Sequence, residues 1–183
     1  MRTKLGKKSY IFSICFFYFS AFMPCFGQEG NCIWENVGEH EQMPLRNIIQ
    51  QPLTKAANYF FKGDIALIDR KGHLYLQLYI QIDDITAGEF YGIVPAGAKL
   101  EFMPMQGKKK LSLKTDAGAS PKIDTTASKV TYNIVYNLDK KSVEYFVKNE
   151  INTIKILWTE GSKEYELYDI DAFKRLMYCI KTL

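Results

Sequence analysis

From Leu74 to Ile82 the chain alternates without a break. Leu74, Leu76, Leu78, Ile80 and Ile82 occupy every second position, with Tyr75, Gln77, Tyr79 and Gln81 between them. A strict period of two is incompatible with a helix, whose apolar face repeats every three to four residues. It specifies a half-buried antiparallel strand with one face on a core and one face turned away. The shorter apolar run from Asp64 to Asp69 precedes it, and Asp69-Arg70-Lys71-Gly72 supplies turn residues. The two segments read as a β-hairpin.

The same logic extends along the chain. Lys99 to Met105 alternates through Leu100 and Phe102, turns at Gln106-Gly107-Lys108-Lys109, and resumes through Leu111 and Leu113. Pro104 lacks a ladder donor, which places its strand at an edge or at a bulge. Ala117 to Ser128, rich in Ala, Ser, Thr and Gly, reads as a loop. Val130, Tyr132, Ile134 and Tyr136 define a strand over Lys129–Leu138. Asp139 then stands at a helix N-cap position ahead of Val143, Phe146 and Val147, and this helix stops near Asn149. Ile154, Ile156 and Trp158 alternate, and Glu160-Gly161-Ser162-Lys163 turns into Glu164–Tyr168, a third hairpin. Asp171 caps a final helix with Phe173, Leu176, Met177, Ile180 and Leu183 on one face. Between Asn47 and Phe61 the expectation is one broken helix, with Pro52 in a first turn. Cys32-Ile33-Trp34 reads as a short strand or a tie onto the core.

About seven strands and two or three helices follow from this reading. The expected fold is α+β: a curved antiparallel sheet built from hairpins, with a C-terminal amphipathic helix packed on it. The alternative is a β-sandwich with a docked helix.

The first 27 residues have the form of a signal peptide. Arg2, Lys4, Lys7 and Lys8 form a basic start, Tyr10 to Phe22 an apolar stretch, and Cys25-Phe26-Gly27 a cleavage region before Gln28. The apolar stretch, about 13 residues, is shorter than the roughly 20 that span a bilayer. A membrane anchor is therefore disfavoured. Acylation at Cys25 is disfavoured by Pro24 before it. Residues 28–183 then form a single domain, exported to the periplasm or the cell surface, with no transmembrane segment after cleavage.

Removing the leader also removes four basic residues. The whole chain has 24 Lys and Arg against 20 Asp and Glu, so the remainder balances at 20 against 20. A neutral domain gives no footing for nucleic-acid binding. Two of the four cysteines leave as well. Cys32 and Cys179 remain near the two ends, and in an oxidising compartment such an isolated pair is a disulfide candidate. The alternative is two unrelated buried thiols.

Chemistry is sparse. The two histidines, His40 and His73, form neither HxH nor HExxH spacing, so no metal site is expected. Asp83, Asp84 and Glu89 gather carboxylates near a strand end, where they either solvate a turn or act as an acid/base pair. Gly118-Ala119-Ser120-Pro121 departs from the GxSxG elbow of serine hydrolases. Gly88, Gly92 and Gly97 lack the lysine and hydroxyl of a phosphate cradle. No cofactor is called for. Lys108-Lys109-Lys110 is the sole basic run, and at a turn it serves solvation and discourages edge pairing. The remaining signal is aromatic: Tyr75, Gln77, Tyr79 and Gln81 share a strand face, and flat phenol rings with amides suit a glycan or a peptide.

The run from Tyr136 through NLDKKSVEYFVKNEINTIKI to DAFKRLMYCIKTL, with GAKLEFMPMQGKKKLSLKT upstream, resembles small exported α+β domains of Bacteroidetes-type bacteria. The likeness spans roughly Lys62 to Leu183. It implies a periplasmic or surface location in a Gram-negative envelope, and that family has no assigned activity to carry over. The expectation is an exported, non-catalytic module binding an envelope protein, peptide or glycan. Its competitor is an envelope hydrolase using Asp83, Asp84 or Glu89.

Overall fold

A computed structural model describes residues 32–52, 60–107 and 109–180. The leader, Lys108 and Leu183 lie outside them. The elements run β1 (Glu35–Val37), β2 (His40–Gln42), β3 (Arg46–Pro52), β4 (Phe60–Arg70), β5 (His73–Ile82), α1 (Ala87–Tyr91), β6 (Lys99–Pro104), β7 (Leu111–Lys114), β8 (Lys122–Asp124), β9 (Lys129–Asn137), α2 (Lys140–Lys148), β10 (Ile151–Trp158), β11 (Gly161–Glu166) and α3 (Ala172–Tyr178). The class is α+β, dominated by antiparallel strands.

The alternating run is β5. Its leucines and isoleucines are buried, and it pairs antiparallel with β4 on one side and β9 on the other. Lys71 and Gly72 connect β4 to β5 with φ of 55° and 85°. Two consecutive positive φ values give the two-residue turn whose twist matches that of its strands. The Gly72 N–H donates to Asp69 Oδ1 at 2.7 Å, which secures the turn.

Two sheets form among the described residues, instead of one. The seven-stranded sheet is ordered β1-β2-β4-β5-β9-β8, with β3 also paired to β4. The four-stranded sheet is ordered β11-β10-β6-β7. Both contribute buried residues to one hydrophobic core. Tyr132 of β9 meets Trp158 of β10 edge-on, with ring centroids 4.9 Å apart. At one seam the Tyr168 N–H donates to the Ile48 carbonyl, and at the other Thr115 Oγ1 donates to the Val135 carbonyl. The helices α2 and α3 meet the core at Phe102 of β6, where Phe146 and Phe173 stack at 4.9 Å and both contact its ring edge-on. Asp139 caps α2 by accepting from the Ser142 N–H at 2.8 Å.

Cys32 and Cys179 are bonded, with Cα atoms 5.2 Å apart. Trp34 reinforces the tie, its Nε1 donating to the Cys179 carbonyl at 3.3 Å. The segment Cys32–Trp34 is thus a tie and forms no strand.

Several expectations need correction. Asn47 to Pro52 is strand, and Phe60 and Phe61 open β4, so no helix covers the described part of Asn47–Phe61; residues 53–59 lie outside the described residues. The cause is a bulge between Asn47 and Ile49. It buries Ile48 and Ile49 in succession and erases the period of two. The Ala117–Ser128 loop contains β8, a short exposed strand paired with β9. There are eleven strands among the described residues, not about seven; β1, β2, β3 and β8 are the additions. The last hairpin turns at Thr159-Glu160, ahead of the expected Glu160–Lys163. Pro104, by contrast, ends the inner strand β6 at a bulge in β10 between Ile151 and Thr153, one of the two placements expected for it. The five-residue helix α1 has no counterpart in the sequence reading.

Candidate functional site

Because successive strand residues face opposite ways, burying the β5 leucines turns Tyr75, Gln77, Tyr79 and Gln81 to the outer face of the seven-stranded sheet. The register fixes their neighbours. Tyr75 lies between Ile68 and Asn137, Gln77 between Ala66 and Val135, Tyr79 between Asp64 and Asn133, and Gln81 between Lys62 and Thr131.

The centre of this face is a relay of amides crossing the sheet. Gln42 Nε2 of β2 donates to Gln77 Oε1 at 2.9 Å, and Gln77 Nε2 donates to Asn133 Oδ1 of β9 at 2.9 Å. Gln77 is only 8% exposed, so its hydrogen bonds are what make its burial tolerable. Tyr75 and Tyr79 flank it along β5 and are half-buried. The Arg70 guanidinium lies over the Tyr75 ring, 5.2 Å from its centroid. Charge lies to either side of the Gln77 row. Asp64 accepts from Asn47 Nδ2, Gln81 Nε2 donates to Asp83 Oδ1 at 2.9 Å, and Lys62 pairs with Asp83 at 4.0 Å.

At the β4–β5 turn there is a surface cleft of ≈ 460 Å³, which none of Tyr75, Gln77, Tyr79 and Gln81 lines. Glu39, His40 and Glu41 of the β1–β2 hairpin line one side, and Asp69 and Lys71 the other. Mixed charges of both signs line it. His73 pairs with Arg70 across the ladder. No three His, Cys, Asp or Glu side chains gather as metal ligands among the described residues.

The carboxylates named from the sequence hold local structure. Asp84 Oδ1 accepts from both the N–H and the hydroxyl of Thr86 at 2.8 Å, which shapes the entry to α1. Asp83 is engaged by Gln81 and Lys62, and Glu89 is exposed on α1. In the basic turn, Lys110 pairs with Glu101 at 2.8 Å, and that hydrogen bond holds the Glu101 carboxyl below its usual range. Ser120 is exposed beside Ala119, whose N–H donates to Val94.

The buried phenols are equally inert near neutrality. Burial, with Tyr91 nearby, pushes Tyr132 up to about 12, and burial pushes Tyr136 higher still. Tyr132 spends its hydroxyl on the Gly92 carbonyl at 2.8 Å. Such groups remain neutral donors and supply no phenolate base.

The four β5 residues singled out in the sequence therefore share one face. Gln42 and Asn133 were missed, because their link to Gln77 depends on strand pairings 35 and 56 residues apart in sequence. Comparison of the chain with protein-family models, characterised proteins and solved structures gives no match. The arrangement sets amide donors and acceptors beside two phenol rings on one sheet face.

Proposed function

We propose that this chain is an exported, non-catalytic module of the bacterial cell envelope, and that it binds a protein, peptide or glycan on the outer face of β5. The observation that carries the reading is the amide relay Gln42–Gln77–Asn133, flanked by Tyr75 and Tyr79 on the face opposite the core. A sheet surface needing only solvation is served by charged side chains. A row of amides and phenols instead combines apolar area with fixed donors and acceptors, as binding surfaces do.

Export rests on the leader-like first 27 residues, with the Cys32–Cys179 bond favouring an oxidising compartment, periplasmic or surface-exposed. The resemblance to exported domains of Bacteroidetes-type bacteria points the same way. We also read the larger sheet as curved, because a β-bulge such as that at Ile48 bends its strand.

The test is retention of a partner from envelope extracts by immobilised, disulfide-intact protein. Tyr75→Ala and Tyr79→Ala together should abolish retention while the unfolding transition stays in place. Undiminished retention by the double variant would overturn the assignment of this face.

A further inference from the structure

The ligand of this face can be narrowed, on the reading that the face is the binding surface. We infer that it takes a neutral, hydroxyl-rich oligosaccharide lying along β5 across Tyr75, Gln77 and Tyr79.

The first reason is the absence of a charge in its middle row. The three central rows are Gln42, Ile68, Tyr75 and Asn137; then Ala66, Gln77 and Val135; then Asp64, Tyr79 and Asn133. Asp64 is the one ionisable carboxyl there, and the Asn47 amide already engages it. Arg70 and the Lys62–Asp83 pair stand at opposite ends of β5. A phosphate or a uronic acid chain would meet Arg70 only at the Tyr75 end and would face the Asp64 carboxylate beside Tyr79.

The second reason is that β5 has no free backbone edge. Both edges are paired, to β4 and to β9. An extended peptide gains affinity chiefly by adding a strand to an open edge. Laid across this face it would cover its own N–H and C=O groups without ladder partners. A sugar has no such row of obligatory groups. Each hydroxyl both donates and accepts, and its ring offers an apolar C–H face to an aromatic side chain.

The third reason is spacing and spare valence. Tyr75 and Tyr79 are separated by four strand steps, about 13 Å at roughly 3.3 Å per residue, a span for several linked sugar rings. Gln77 sits midway, held by the relay. Asn133 is exposed and uses its Oδ1 in the relay, which leaves its Nδ2 as a spare donor on the surface. Arg70 occupies one side of the Tyr75 ring, so Tyr79 is the principal stacking platform.

The experiment is calorimetric titration of the disulfide-bonded protein with maltohexaose, cellohexaose, xylohexaose and mannohexaose. Hexagalacturonate and a neutral Ser/Asn/Gly decapeptide serve as competitors in kind. At least one neutral hexaose should bind, weakened about tenfold or more in Tyr79→Ala and severalfold in Asn133→Ala, with urea denaturation showing that loss of the Gln77–Asn133 hydrogen bond leaves the protein folded. Binding of none of the four neutral sugars overturns the inference. Binding of hexagalacturonate or the decapeptide in preference, still sensitive to Tyr79→Ala, overturns the sugar class and leaves the face standing. Neutral-sugar binding unchanged in both variants overturns the face and the inference together.

Discussion

The Phe61 ring on β4 stacks on the Tyr165 ring on β11, with centroids 4.2 Å apart and planes within 15°. This contact joins the two sheets through the core they share. Phe61 is 1% exposed, so Phe61→Ala removes a large buried ring and leaves a cavity, at a cost of about 3–5 kcal/mol. Tyr165→Phe should behave differently. The Tyr165 hydroxyl is buried beside Trp158 and Tyr91 but outside normal hydrogen-bond geometry with either among the described residues, and deleting it should cost far less than the Phe61 ring. Urea denaturation of both variants separates the effects; a large loss in Tyr165→Phe would reveal a partner for that hydroxyl.

The Cys32–Cys179 bond closes a loop with a sequence separation of 147. A loop of that length corresponds to about 5 kcal/mol in the chain-entropy account of disulfides. The double variant Cys32→Ser/Cys179→Ser should lose stability of that order, and reductant should lower the wild-type denaturation midpoint while leaving the variant's unchanged. Equal midpoints with and without reductant would contradict the bond.

Gly63 and Ile49 lie opposite each other across β3 and β4, and a Cβ on Gly63 would sit 2.8 Å from Ile49 Cδ1. Gly63→Ala should therefore cost about 1–3 kcal/mol through overpacking. Ile49→Val removes the offending methyl at about 0.5–1.5 kcal/mol on its own. The double variant should be less destabilised than the two single effects added, a coupling that a double-mutant cycle reads directly. Strict additivity would mean that the two sites do not touch.

The sign of one pH effect follows from α2. The Ser142 hydroxyl and then its N–H donate to Asp139, and both hold its carboxyl below the ordinary value. A carboxyl with a depressed folded pKa adds stability above its unfolded value, near 4, and that stability is lost as pH falls through the folded value. Asp139→Ala should cost about 1 kcal/mol at neutral pH. The gap between wild type and variant should narrow in acid below pH 4; a gap independent of pH would exclude the charged cap.

These elements also show what was legible in the sequence and why. The β5 alternation, the Asp139 cap and the Cys32–Cys179 pair rest on local spacing or on a single isolated pair, so residue order reveals them. The strand β3 was hidden because its bulge places Ile48 and Ile49 on the core together, while Pro52 mimics a helix start. The short strands β1 and β8 are exposed throughout and carry no apolar period. Division into two sheets depends on β6 pairing with β10 across the chain, which no local pattern encodes. The candidate site divides likewise: its β5 half was visible, whereas Gln42 and Asn133 join it only through tertiary pairing.

The central claim concerns where a ligand sits, and the most direct measurement is nuclear magnetic resonance on isotope-labelled, disulfide-intact protein. The side-chain amide signals of Gln42, Gln77 and Asn133 and the ring signals of Tyr79 are followed as the retained envelope ligand is added. The expected result is a shift of these signals together, with Lys155 and Glu164 on the four-stranded sheet unmoved. Shifts confined to that sheet or to α1, with the amide relay unchanged, would contradict it.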